Sequence, residues 1–243
     1  MKKYILFLAA LVIATASCSN DNNDNNNNDN NNNSPNLQIW MGQKTGSVGD
    51  FSNLRWIIVL PNDEYFNQLP TEGFLNFSNN QTGGTWGTFI MNGNTGTISN
   101  QYETFSVNKI SGTEMELVGY ANHIYKLAPV DGLKPNGKYV AGIPGWSTSG
   151  NYPYGTNDAQ PMIEFLSNGS FIDKGAFVTN FTMPYQNPDR APGNGTYEIK
   201  KYTLILNYDD GRKITKAFSG VFNNQVNSNT ELVLIGGLPF YNN

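Results

Sequence analysis

The sequence predicts an all-β protein: an antiparallel meander, closing as one barrel or as two repeated small sheets or half-barrels, behind a disordered tether. Three observations predict it. Apolar residues of the globular part almost never recur at helical spacing, and strand-length runs bounded by Gly, Asn, Asp and Pro recur instead. Glu114-Met115-Glu116-Leu117-Val118 alternates polar with apolar, the pattern of a strand with one wet face and one face on a core. The strand pattern also repeats once along the chain, which divides the globular part into β modules over 37–130 and 131–243.

In chain order, the first element is an export signal over residues 1–17. Lys2 and Lys3 precede an apolar run of about 13 residues, short of the roughly 20 that a helix needs to cross a bilayer. The signal ends in Thr15-Ala16-Ser17-Cys18, and Cys18 is the only cysteine of the 243-residue chain. A lone cysteine excludes an intramolecular disulfide framework. This stretch resembles the signal of the bacterial lipoprotein family, although Thr15 stands where an aliphatic residue is usual. The resemblance implies that Cys18 becomes the new N-terminus and carries acyl chains such as palmitate. Two or more chains make a stable membrane anchor. Removal of Lys2 and Lys3 leaves 13 basic residues against 19 acidic, a net charge of −6. That field repels nucleic acid and anionic lipid headgroups, so no nucleic-acid partner is expected.

Residues 19–36 are nearly all Asn and Asp. With no apolar side chain to bury, they cannot offset the entropy of ordering, and as a coil they span roughly 23 Å. Asp21, Asp24 and Asp29 lack the spacing, the Gly and the terminal Glu of a calcium loop, so no metal is expected there. Ser19-Asn20-Asp21-Asn22-Asn23-Asp24 is similar to the acidic signal that follows the cysteine in surface-exposed lipoproteins of the Bacteroidetes. That resemblance implies an outer-membrane, cell-surface location, with the periplasmic face as the alternative.

Twelve strands are predicted over the globular part, at 54–60, 86–91, 104–110, 114–120, 123–127, 138–141, 162–166, 170–172, 196–199, 202–208, 213–222 and 231–235. After the β-branched and aromatic run 202–208, Asp209-Asp210-Gly211-Arg212 predicts a type I′ hairpin turn. Three segments recur in the same order. Trp56-Ile57-Ile58-Val59-Leu60 through Tyr65 matches Met162-Ile163-Glu164-Phe165-Leu166 through Phe171, Gly87-Thr88-Phe89 matches Gly195-Thr196-Tyr197, and Thr113 to Gly119 matches Thr230 to Gly236. The offsets grow from 106 to 108 to 117, which places a seam near the Pro/Gly-rich connector 128–137. Gly195-Thr196-Tyr197, the run 202–208, Asp210-Gly211-Arg212 and Asp131-Gly132-Leu133 together resemble bacterial lipocalin-like lipoprotein domains over about residues 50–240. The resemblance implies a fold and brings no catalytic residue with it.

Little of the sequence points to catalysis. His123 is the only histidine, so sites built on two imidazoles or on a Cys–His pair are excluded. There is no Gly-x-Ser-x-Gly elbow and no phosphate loop. Paired carboxylates do glycosidic chemistry when held about 5 to 10 Å apart, and the candidates are Glu114 with Glu116, Asp209 with Asp210, and Glu164 with Asp173. Trp40, Trp56 and Trp86 are expected in or near the core. No cofactor is expected.

The strongest ligand chemistry lies in the run from Gly145 to Asp158, where Trp146, Tyr152 and Tyr154 stand among Asn and Ser. Aromatic rings give flat amphipathic contact at low entropy cost, and amides and carboxylates bond sugar hydroxyls. A second long segment, 182–194, carries Tyr185, Asp189 and Arg190, and the expectation is that it forms a facing wall. The competing reading is an ordinary pair of loops whose aromatics fold back over the core. The leading functional expectation is a lipid-anchored surface protein that binds a glycan or a peptide without catalysis. The alternatives are an apolar-ligand carrier with a barrel cavity and a carboxylate-based polysaccharide hydrolase or lyase.

Overall fold

The structure, a computed structural model, describes residues 37–46, 51, 54–142, 162–177, 191–222 and 224–242. They form two closed antiparallel barrels of eight strands each, within one compact unit, Ser34–Asn243. The first barrel contains β1 (Gln38–Gln43), β2 (Leu54–Val59), β3 (Glu64–Phe66), β4 (Trp86–Asn92), β5 (Thr95–Asn100), β6 (Thr104–Lys109), β7 (Glu114–Leu117) and β8 (Ala121–Lys126). The second contains β9 (Gly137–Ala141), β10 (Met162–Phe165), β11 (Ser170–Asp173), β12 (Gly193–Lys200), β13 (Thr203–Tyr208), β14 (Lys213–Ser219), β15 (Leu232–Ile235) and β16 (Leu238–Asn242). Each strand pairs with its sequence neighbours, and β1–β8 and β16–β9 close the two rings.

The repeat is therefore two whole barrels, and its three matched segments fall on equivalent strands. The hairpin between β2 and β3 and that between β10 and β11 share three backbone hydrogen bonds. Leu60 N donates to Glu64 O at 2.9 Å, and Leu166 N to Ser170 O at 2.9 Å. Asp63 N donates to Leu60 O, as Gly169 N does to Leu166 O. Phe89 N reaches Asp63 O at 2.8 Å, and Tyr197 N reaches Gly169 O at 2.9 Å. Asp63 and Gly169 both have positive φ, 62° and 86°. Gly87 and Gly195 are equivalent close-approach points, opposite Tyr65 and Phe171 in the ladders. A Cβ on Gly195 would lie 2.0 Å from the backbone oxygen of Asn207. Gly195→Ala is accordingly expected to destabilise the protein by about 1–3 kcal/mol, read as a lowered urea midpoint at unchanged slope.

The side-chain period of two sorts the apolar residues into three clusters. Ile57, Val59, Tyr65, Ile98 and Leu117 fill the first barrel, and Tyr139, Phe165, Phe171, Leu206 and Phe240 fill the second. The third cluster is the seam between the barrels, where Ile39, Met41, Trp56 and Ile58 of the first meet Ala217 and Leu234 of the second. Strands β1 and β2 are thus buried on both faces, which is why 56–60 reads as an unbroken apolar run. Trp40 and Trp56 are buried, and Trp86 packs on the seam cluster.

Four strands lie outside the twelve predicted. β3 is three residues long, β5 carries one buried apolar side chain (Ile98), and β16 includes Pro239, each below the usual strand signal. β1 abuts the Asn-rich tract and ends at Gly42-Gln43. Two turns also differ from expectation. At Asp209-Asp210-Gly211 only Gly211 has positive φ, 90°, so this is a three-residue loop with a left-handed glycine. The type I′ geometry occurs one hairpin earlier, at Lys201 (φ 50°) and Tyr202 (φ 52°), so Tyr202 is a turn residue and β13 starts at Thr203. Tyr202 is held there by its contacts. Its hydroxyl donates to Leu127 O at 3.0 Å, Asp131 accepts from Lys201 N, and its ring meets Phe74 edge-on.

Candidate functional site: one rim of the second barrel

Cys18, Trp146, Tyr152, Tyr154, Tyr185 and Arg190 all lie outside the described residues. The strands that carry the two aromatic segments are described. One segment leaves the barrel after Gly142 and re-enters at Met162; the other leaves after Phe177 and re-enters at Ala191. Strand direction alternates around a meander barrel, so the β9–β10, β11–β12 and β13–β14 connections share one end. The feet of both segments therefore stand side by side on one rim.

The described part of that rim is a connected polar network. Asp173, at the end of β11, is 2% exposed and points inward. Its Oδ1 accepts from Gly175 N at 2.8 Å and Ala176 N at 2.7 Å, and its Oδ2 accepts from the Tyr208 hydroxyl at 2.7 Å. Above the Tyr208 ring lies the Arg212 guanidinium, 4.1 Å from the centroid. Arg212 donates to Ala191 O at 2.6 Å, to Pro192 O at 3.3 Å and to Asp210 Oδ2 at 2.7 Å. Burial pushes the Asp173 carboxyl above its ordinary value, against the lowering pull of its donors and of Arg212. Burial first, then the Asp173 charge, raises the Tyr208 phenol far above the ordinary range. Sequence reasoning did not single out Tyr208 or Arg212. Their signal was the Asp-Gly turn, which folds Arg212 back over the last aromatic residue of β13.

Of the three carboxylate pairs, Glu164 and Asp173 lie on opposite faces of the sheet. Ile163 pairs with Asp173 in the ladder and Glu164 with Ile172, so Asp173 faces the interior while Glu164 faces outward. Glu116 takes a hydrogen bond from Asn108, and Glu114 bonds His123 Nδ1 at 2.5 Å. Asp209 accepts from Asn194, while Asp210 binds Arg212. His123, with 58% of its side chain exposed, stacks on Tyr125 on the outer face of the first barrel. Among the described residues no cluster of three or more His, Cys, Asp or Glu could hold a metal ion.

An eight-stranded barrel is just wide enough to be filled by its own side chains or to hold one small ligand. Buried side chains point into both interiors here: Tyr65 with Ile57, Val59, Ile98 and Leu117 in the first, and Tyr139, Phe165, Phe171 and Phe240 in the second. The mouth of the first barrel is plugged by Arg55, which bonds Glu103 and lies 4.7 Å and 4.8 Å from the rings of Phe105 and Tyr120. The crevice on the seam, lined by Ile39, Trp56, Phe74, Tyr202 and Leu234 among others, has no room for a water molecule. Among the described residues no helix is long and apolar enough to cross a membrane.

The fold and rim define a class by geometry: a tandem pair of side-chain-filled, eight-stranded meander barrels with long connections at one end of the second. No family model, no curated protein and no solved structure matches the chain.

Proposed function

We propose that this is a lipid-anchored outer-membrane protein of the cell surface, in which the second barrel offers a rim that binds a glycan or a peptide without catalysis. One observation supports the binding site above the others: both aromatic segments stand on the same end of a barrel whose interior is full. A ligand is then met at the rim rather than inside. The lipid anchor rests on the resemblance of residues 1–18 to lipoprotein signals, and the Asn/Asp tract gives the barrels reach from the bilayer.

Each half of this reading has its own test. Cys18→Ser is expected to move the protein from the membrane fraction to the soluble fraction and to abolish incorporation of labelled palmitate; unchanged fractionation would remove the anchor. Titration of oligosaccharides and peptides into the soluble protein is expected to quench tryptophan fluorescence, and Trp146→Ala to weaken binding at least tenfold, the order of loss that follows truncation of an aromatic hot-spot residue. Flat fluorescence across the panel would end the binding reading.

A further inference from the structure

We propose that Asp173, Tyr208 and Arg212 act as one clamp that fixes both feet of the β11–β12 connection and so positions the ligand rim. The purpose of the clamp rests on the binding reading above; its existence as a coupled unit does not. The two feet are held by different residues. Asp173 holds the first, through the amides of Gly175 and Ala176. Arg212 holds the second, through the carbonyls of Ala191 and Pro192. Tyr208 packs in the same cluster as Ala176. It joins the two holders, giving its hydroxyl to Asp173 and its ring face to Arg212.

Geometry argues that the three work together. The carboxylate is buried and takes three donors, which leaves it little freedom to turn unless Tyr208 moves. Arg212 is planar, and stacking on the phenol sets the plane in which its donors meet the two carbonyls. Phe171 packs edge-on against Tyr208 at 4.9 Å and keeps the phenol upright in the barrel mouth. A loop with both ends pinned loses less freedom on binding, so a ligand at this rim gains affinity from the clamp without touching it. The equivalent mouth of the first barrel is built differently, with Arg55 paired to Glu103 and packed against Phe105 and Tyr120, whose rings meet each other edge-on at 5.3 Å. The foot-pinning arrangement is that of the second barrel.

Amide hydrogen exchange on the full mature chain tests the clamp. Arg212→Gln removes a side chain that makes no bond to Gly175 or Ala176, and it is expected to speed exchange of those two amides about tenfold. Tyr208→Phe, which keeps the ring and deletes the hydroxyl, is expected to loosen residues 174–177 to a similar extent. The double variant should match the faster single variant. Tyr139→Phe, which deletes a hydroxyl bonded to Thr230 O at 2.9 Å elsewhere in the same barrel, is the control and should leave 174–177 unchanged. Unchanged exchange at Gly175 and Ala176 in Arg212→Gln, multiplying effects in the double variant, or equal acceleration through β10 and β13, would each overturn the clamp. Failure of every ligand to bind the wild-type protein would defeat the binding reading alone, because the exchange readout needs no ligand.

Discussion

Phe74→Ala is expected to lower stability by about 3–5 kcal/mol and to turn a single unfolding transition into two. Phe74 is 2% exposed and sits on the long β3–β4 connection of the first barrel, which reaches across to the second. Its ring meets Phe77 at 5.7 Å and Tyr202 at 6.1 Å, and its backbone N–H donates to the Thr203 hydroxyl at 2.7 Å. Two neighbours bridge the same gap: Thr71 O accepts from Ala217 N at 2.8 Å, and Lys216 pairs with Glu72. The exposed ion pair adds little, so the joint depends on the apolar packing and on the buried hydrogen bonds. Removing the Phe74 ring opens a cavity between two barrels that each keep their own filled interior. Cooperativity across the seam is then lost before either barrel unfolds. Calorimetry decides the matter: one transition at an unchanged midpoint would mean that the seam contributes little. Thr203→Val gives a finer reading, since it keeps the shape and leaves the Phe74 amide unpaired, at a cost of about 1–3 kcal/mol.

The seam also shows what the sequence held and what it hid. The β class, the repeat and most strands were legible because period-two alternation and turn chemistry are local signals. Residues 56–60 betray a strand buried on both faces, yet nothing local says that the second face meets another barrel rather than a helix or a lipid. The missing strands follow the same logic. β5 pairs fully with β4 and β6, but Thr95, Thr97 and Ser99 face outward, Gly96 has no side chain to bury, and only Ile98 reports a core. Tyr202 read as strand because it is aromatic and adjoins a β-branched run, whereas tertiary contacts force it into a left-handed turn. The rim was half legible. The long aromatic segments stand out by composition, and the alternating direction of β9 to β12 puts the feet of both on one end. The network of Asp173, Tyr208 and Arg212 joins the β11–β12 connection to the β13–β14 hairpin, and no local pattern spans such distances.

Asp173→Ala is the second large effect expected, a loss of about 2–4 kcal/mol, because it strands the Tyr208 hydroxyl and the amides of Gly175 and Ala176 in a buried setting. Asp173→Asn is expected to lose far less. Its carbonyl oxygen still accepts from both amides, and its amide nitrogen reaches the Tyr208 oxygen. The pair of variants separates shape from charge, and pH separates them further. Burial raises the folded-state pKa of Asp173 above its ordinary value of 3.8. The folded protein therefore holds this proton at pH values where the unfolded chain has released it. The resulting stabilisation is fully present below the ordinary value and is lost as pH rises through the folded value. The wild-type protein is thus expected to gain on Asp173→Asn as pH is lowered from 7 to 4, measured as the difference between their urea midpoints. A difference that stays constant, or that moves toward the Asn variant in acid, would show that the donors around Asp173 outweigh its burial.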